Sequence, residues 1–343
     1  MEKILSVCIP TYNMEALLPR CLDSFILEKE YMDQLEIIIV NDGSRDKSSA
    51  IAHEYADKYP QTYIVIDKPN GNYGSCVNAA LKVATGKYFR ICDADDCYEN
   101  NNLQKYIEFL TTADTDLVFT PYSIYKGEDL SSTFVVPAEL CGGIFSIDEL
   151  KWDSSDLKKF RAMHTMATKR SILIENNYFQ TEGISYTDTQ FIFYSYLYAN
   201  TCAFFNTVIY KYYLGRDGQT MSKESMIKSH MHFYENADRL LKDYLIVDAQ
   251  LSENKAKVLE ESIFACYYFF THIVFCDLPY QKEKIILLQN LLRKWKQSSR
   301  GFQAESFLLK AKYYRLWRKY HIPALIVNYL CRVKSILPSP LSE

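Results

Sequence analysis

Tyr88-Phe89-Arg90-Ile91-Cys92-Asp93-Ala94-Asp95-Asp96 is a short apolar run that delivers three carboxylates in its last four residues. An apolar and aromatic run closed by polar residues predicts a buried strand. In open α/β sheets, ligands bind outside the carboxyl ends of such strands. Asp93 and Asp95, two apart on extended chain, point the same way and are placed to share a hard divalent cation with open positions for phosphate oxygens. An isolated Asp-x-Asp also occurs as a plain acidic turn, so the rest of the chain has to decide.

Upstream, the chain alternates strand and helix. Ile4 to Ile9 is apolar on both faces, as a central parallel strand requires, and Pro10-Thr11-Tyr12-Asn13 ends it. Asn13 is a candidate cap for a helix with Leu17, Leu18, Cys21, Leu22 and Phe25 on one face. Glu36 to Val40 forms the next strand, closed by Asn41-Asp42-Gly43-Ser44, and a helix carries Ile51, Ala52, Tyr55 and Tyr59 inward. Tyr63 to Ile66 is a third strand. The turn Asn70-Gly71-Asn72-Tyr73-Gly74 has glycines that permit a close approach, and the helix of Cys76, Val77, Ala80, Leu81 and Ala84 returns to the acidic strand end. The first 100 residues thus predict βαβ units of a mixed, mainly parallel α/β sheet, with polar clusters at every strand's carboxyl end.

Downstream, a helix near 103–110 and a strand near 116–121 continue the sheet. The middle is irregular, with short edge strands near 134–136 and 142–145, helices over Arg170 to Asn177 and Thr187 to Ala199, and a strand from Ala203 to Tyr213. After Ser222 the pattern is helical only, with segments near 225–247, 254–276, 281–297 and 304–320. We expect a domain over 1–222, whose donor-binding half is 1–100 and acceptor-side half 101–222, and a helical region over 223–343.

The chain has 343 residues, 48% of them hydrophobic, and a net charge of −3, which argues against a nucleic-acid partner. That average hides an asymmetry. From Leu291 onward there are 11 Lys and Arg against two acids, whereas residues 1–290 hold 28 bases against 40 acids, so the body carries about −12 and the tail about +9. Ten cysteines without a Cys-x-x-Cys pair, and a first strand with no apolar leader before it, predict reduced thiols in a cytoplasmic protein. The apolar stretch from Ser262 to Leu278 contains His272 and falls short of the roughly 18 clean apolar residues of a membrane span, so it predicts a buried helix.

Thr11, Asn13, Asp42, the Asn70–Gly74 turn, Asp93 and Asp95 gather at one sheet edge, and each suits part of a nucleotide diphosphate. A strand-end carboxylate such as Asp42 accepts the imide N–H of a uracil or thymine ring, a glycine turn lies against ribose and phosphate, and a metal at Asp95 neutralises the departing diphosphate. In this order, Pro10-Thr11-Tyr12-Asn13, Val40-Asn41-Asp42-Gly43-Ser44, Asn70-x-x-x-Gly74-x-x-x-Asn78 and Asp93-Ala94-Asp95-Asp96 resemble the family 2 glycosyltransferases of GT-A fold. The likeness is strong over 1–100 and thinner to 222.

The resemblance implies an inverting transfer of sugar from a nucleotide-diphosphate sugar, UDP-sugar favoured, to a saccharide or lipid-linked acceptor, with Mg²⁺ or Mn²⁺, in surface polysaccharide or glycolipid synthesis. It implies that Thr11, Asn13 and Asp42 hold the nucleoside, that Asn70, Gly74 and Asn78 line the donor pocket, that Asp93 and Asp95 bind ribose and metal, and that Asp188 is the general base. Two departures stand out. Val77 replaces an arginine that many members carry, and Thr187 replaces an acid before Asp188. Asp188 alone would read as an ordinary first-turn helix acid. His164, Arg216 and Gln219 are candidates for acceptor or diphosphate contacts, with a structural histidine and an interdomain linker as the alternatives.

Two other functions compete. A sugar-nucleotidyltransferase calls for a Gly-rich, basic loop after the first strand, where Thr11-Tyr12-Asn13-Met14 stands instead; a non-catalytic scaffold of the same fold would tolerate loss of Asp93, Asp95 and Asp188, which are all present. Between Lys310 and Lys334, seven bases and no acid are interleaved with aromatic and aliphatic residues, the composition of a segment that lies on the inner face of the plasma membrane or packs on the acidic body.

Overall fold

The computed structural model describes residues 2–215, 220–299 and 312–332. Arg216 and Gln219 lie outside them, as do the ends of the basic tail. The chain forms two compact units, Met1–Asp217 and Gly218–Glu343.

In the first unit, β1 (Leu5–Thr11), α1 (Leu18–Asp23), α2 (Lys29–Met32), β2 (Leu35–Asn41), α3 (Ser48–Lys58), β3 (Tyr63–Asp67), α4 (Asn72–Val83) and β4 (Tyr88–Ile91) follow one another. β2 is buried along its whole length and β1 at all but one position, which is why both read as unbroken apolar runs. Then come β5 (Cys97–Tyr98), α5 (Asn100–Thr112), β6 (Leu117–Phe119), β7 (Tyr122–Lys126), β8 (Asp129–Phe134), β9 (Ile144–Ser146), β10 (Met166–Lys169), α6 (Arg170–Glu175), α7 (Asp188–Tyr198), β11 (Thr201–Phe204) and β12 (Tyr210–Leu214). The large sheet has the order β3-β2-β1-β4-β10-β6-β11-β9, with β1 to β4 parallel and β10 antiparallel to both its neighbours. A smaller sheet, β5-β12-β7-β8, forms beside it.

Two expectations need correction. The strand expected over Ala203 to Tyr213 is two strands in different sheets: β11 pairs with β6, and after a polar break at Asn206 and Thr207 β12 pairs with β5 and β7. Asn13 does not cap a helix, because α1 begins five residues later with Leu17 at its N-cap. Asn13 instead adopts φ +54°, a left-handed conformation that asparagine tolerates, and its side-chain oxygen accepts the Arg45 N–H at 2.8 Å.

In the second unit the described residues form helices only: α8 (Lys223–Lys228), α9 (His230–Val247), α10 (Glu253–His272) continued by a π-helical turn over Ile273–Asp277, α11 (Lys282–Trp295), α12 (Lys312–Arg318) and α13 (Ala324–Arg332). Among the described residues, Glu253–Asp277 is long and apolar enough to cross a membrane, and 67% of its apolar window is buried. It packs along α9 through Phe233 on Phe269 and through the Tyr244 hydroxyl, which donates to the buried Glu260 carboxylate at 2.6 Å. Part of the basic, aromatic segment also turns inward: Tyr313, Tyr314 and Trp317 of α12 are buried, with Trp317 against Phe275.

Candidate active site

At the end of β2, the Asp42 carboxylate is almost fully buried and accepts the Lys68 ammonium at 2.6 Å and the Gly71 N–H at 2.9 Å, both on Oδ1. Lys68 also reaches the Ser75 hydroxyl at 2.7 Å, and the Asn70 amide donates to the Asp42 carbonyl at 2.9 Å. The Lys68 and Gly71 bonds both use the Asp42 carboxylate as an acceptor. Thr11 lies across from Asn41, buried, with its hydroxyl on the Ile9 carbonyl. Asn13 is exposed at the rim, pinned to the 44–45 loop.

At the end of β4 the chain turns rather than staying extended: the Asp96 N–H bonds back to the Asp93 carbonyl at 3.0 Å. The turn brings ligand oxygens of Asp93, Asp95 and Asp96 within 4.8 Å of one another. Asp96 is the buried member. Its carboxylate accepts the Tyr210 hydroxyl at 2.7 Å and the Tyr213 N–H at 2.8 Å, and burial first, then the charges of Asp93 and Asp95, push it well above the usual carboxylate range. Asp93 accepts the Tyr73 hydroxyl at 2.9 Å. Arg20 of α1 donates to the Asp95 carbonyl at 2.6 Å while its guanidinium stacks 3.7 Å over the Tyr213 ring, fixing the turn's backbone. Asp93 and Asp95, half-buried carboxylates side by side, are a donor set of the kind that hard divalent cations take.

Asp188 opens α7. Burial pushes its carboxyl up from the ordinary range, against the pull of its own and Thr189's backbone N–H groups. Two tyrosines connect it to the acidic turn. Tyr73 bonds Asp93 and feels the charges of both Asp93 and Asp188, and Tyr212 feels those of Asp96, Asp93, Asp188 and Asp95. The acidic turn and Asp188 thus both lie near Tyr73 and Tyr212.

Three expected site residues have partners within the fold. Gly74 and Asn78, one turn apart on α4, pack on the segment that leads to Asp188. A Cβ on Gly74 would lie 2.1 Å from the Thr181 carbonyl oxygen. Asn78, 5% exposed, donates to the Gln180 carbonyl and the Glu182 carboxylate and accepts the Gln180 N–H. The Gly183 N–H adds a bond to the Gly71 carbonyl. His164 brings no charge to a diphosphate. Its imidazole is enclosed by Tyr122, Tyr210 and Tyr212, and burial, with Arg90 nearby, pushes its pKa down to about 3. Its carbonyl accepts the wholly buried Arg90 guanidinium at 2.5 Å, which also bonds Tyr106 and Thr120.

Gly74→Ala is therefore expected to cost about 1–3 kcal/mol through overpacking and to lower turnover more than nucleotide affinity, because the displaced segment leads to Asp188, the residue expected to act as base. Thermal melting and calorimetry with UDP check this; an unchanged melt and unchanged turnover would show that the 180–183 segment relaxes freely.

Sequence reasoning missed Lys68, Tyr73, Arg20 and the tyrosines of β12. Lys68 alone left a signal, as a base directly after a strand that ends beside Asp42.

The sequence profile of Glycosyl transferase family 2 matches residues 6–174. An uncharacterized glycosyltransferase of Mycoplasma pneumoniae is 38% identical over 104 residues, 30% of this chain and 34% of the relative. The minor teichoic acid biosynthesis protein GgaB of Bacillus subtilis is 32% identical over 123 residues, 36% of this chain and 14% of GgaB. The chain thus spans about a third or less of the length of these two relatives. Residues 1–349 of S. aureus TarS, in a crystal structure with UDP-GlcNAc, superpose with a TM-score of 0.66 at 20% identity, covering 95% of this chain and 89% of that one, and share its fold. With its large mixed sheet and the acidic turn at the end of β4, the first unit has the GT-A fold. Over residues 6–174 the chain belongs to glycosyl transferase family 2.

Proposed function

We propose that the protein is an inverting glycosyltransferase that moves a sugar from a nucleoside-diphosphate donor to an acceptor hydroxyl, in the synthesis of a surface polysaccharide or glycolipid. The observation that carries this reading is that the acidic turn, whose Asp93 accepts the Tyr73 hydroxyl at 2.9 Å, lies near Asp188, whose charge Tyr73 and Tyr212 both feel. Asp188 takes the acceptor's hydroxyl proton, the freed oxygen attacks the anomeric carbon, and the bond to the diphosphate breaks on the opposite face, so one displacement inverts the centre. A divalent cation, Mg²⁺ or Mn²⁺, held by Asp93 and Asp95 would neutralise the departing diphosphate. Asp42 accepts the imide N–H of a uracil ring, and the uridine nucleotide in the TarS complex and the teichoic acid role named for GgaB fit this choice. A panel of nucleotide sugars scored by release of nucleoside diphosphate tests the reading, with a UDP-sugar expected to lead; silence with every donor would overturn it.

Lys68→Met removes the cation that holds Asp42 as an acceptor. UDP affinity by calorimetry is expected to fall about tenfold or more, as for loss of support to a charged hydrogen bond. Unchanged affinity would place the base elsewhere.

A further inference from the structure

α13 carries its apolar side chains on two faces, and only one is packed. Val327 and Asn328 point inward, and the Asn328 amide donates to the carbonyls of Val274, Phe275 and Leu278, closing the end of the π-helical turn and pinning the helix. That anchorage leaves Leu325, Ile326 and Tyr329 turned out, with Tyr329 66% exposed. Leu325, Tyr329 and Arg332 fall on one helical face, and together with Tyr280 and Asn328 they line an open groove of about 440 Å³. No Asp or Glu occurs between Ser306 and Ser342. Nearby, Asp277 is paired with Lys223 at 2.7 Å.

We propose that α13 and this groove dock in the headgroup region of an anionic bilayer. The chemistry selects the occupant. An exposed leucine, isoleucine and tyrosine beside an arginine, on a segment with bases and no acids, match a surface that is apolar below and negative above. Tyrosine's amphipathic ring suits that boundary. Nine residues rise only about 13 Å, less than half of the hydrocarbon thickness, so the helix lies in the interface plane rather than crossing it. Tyr313, Tyr314 and Trp317 take no part, since the unit's own core holds them.

Sedimentation of the full chain with vesicles of phosphatidylcholine alone, or of equimolar phosphatidylcholine and phosphatidylglycerol, at low and high salt tests this. The protein should pellet with the anionic vesicles at low salt and leave them at high salt. Leu325→Ser with Tyr329→Ser, and separately Arg332→Glu, should each weaken the partition about tenfold or more with the melting temperature unchanged, because these side chains are exposed. Equal binding to neutral vesicles, retention at high salt, or indifference to these substitutions would overturn the proposal. So would concentration-dependent self-association abolished by the Leu325/Tyr329 pair without any lipid binding, which would make the face a contact between copies. No sugar donor enters the measurement, so a negative result leaves the transferase reading intact.

Discussion

Asp95→Asn is expected to lower sugar transfer by about 100-fold or more while leaving the fold intact, because it halves the carboxylate charge available where a cation meets a diphosphate. The local geometry makes this a clean substitution. The turn's backbone is held by Arg20 through the Asp95 carbonyl and by the Asp96–Asp93 hydrogen bond. Asp96, whose carboxyl is pushed up partly by Asp95, loses a repulsive neighbour. Melting temperature should therefore hold or rise. Binding of Mn²⁺ followed by electron paramagnetic resonance should weaken in parallel with turnover, and excess EDTA should silence the unmutated protein. Undiminished turnover in EDTA would remove the metal from the mechanism and leave Asp93 and Asp95 as ribose and backbone ligands.

How much of this was legible beforehand depended on sequence distance. The strands β1, β2 and β4 announce themselves as buried apolar runs, and the polar residues closing each run mark the sheet edge where Asp42, Asp93 and Asp95 collect. The sequence shows Gly74 in a turn and the resemblance gives it and Asn78 to the donor pocket, but neither signal says what that side of α4 meets. Its partner is the 180–183 segment, over 100 residues away, so a donor-pocket reading and a loop-anchor reading look alike in the sequence. Tyr210 reaches Asp96 across 114 residues, and only because β12 leaves the large sheet. The run from Ala203 to Tyr213 reads as one strand because the alternation is broken by just a few polar residues. Arg90 stood in the acidic-turn stretch as a lone base in a buried strand; its burial among Tyr98, Tyr106 and Tyr210 follows from tertiary packing alone.

Asp188→Asn should separate catalysis from binding and stability most sharply. Loss of a positioned general base lowers turnover by about 10²- to 10⁴-fold. UDP affinity should survive, since the proposed mechanism gives Asp188 to the acceptor and the Asp42–Lys68 pair to the uracil. The pH behaviour follows from the direction of the shift. Burial raises the Asp188 carboxyl above its ordinary value, so the acid limb of the unmutated enzyme's rate profile should lie above the range of a solvated aspartate, near pH 4, and the Asn variant should lack that limb. Stability moves the other way. A carboxyl that binds its proton more tightly when folded than when unfolded makes the native state less stable as pH rises between those two values, and the penalty persists at neutral pH. The amide carries no such penalty. The variant should therefore melt at or above the temperature of the parent at neutral pH, with the gap closing below the unfolded carboxyl's pKa. A variant that melts lower and loses UDP together with transfer would instead make Asp188 an anchor of α7 and the 180–183 segment, and the base would have to be sought elsewhere around Tyr73 and Tyr212.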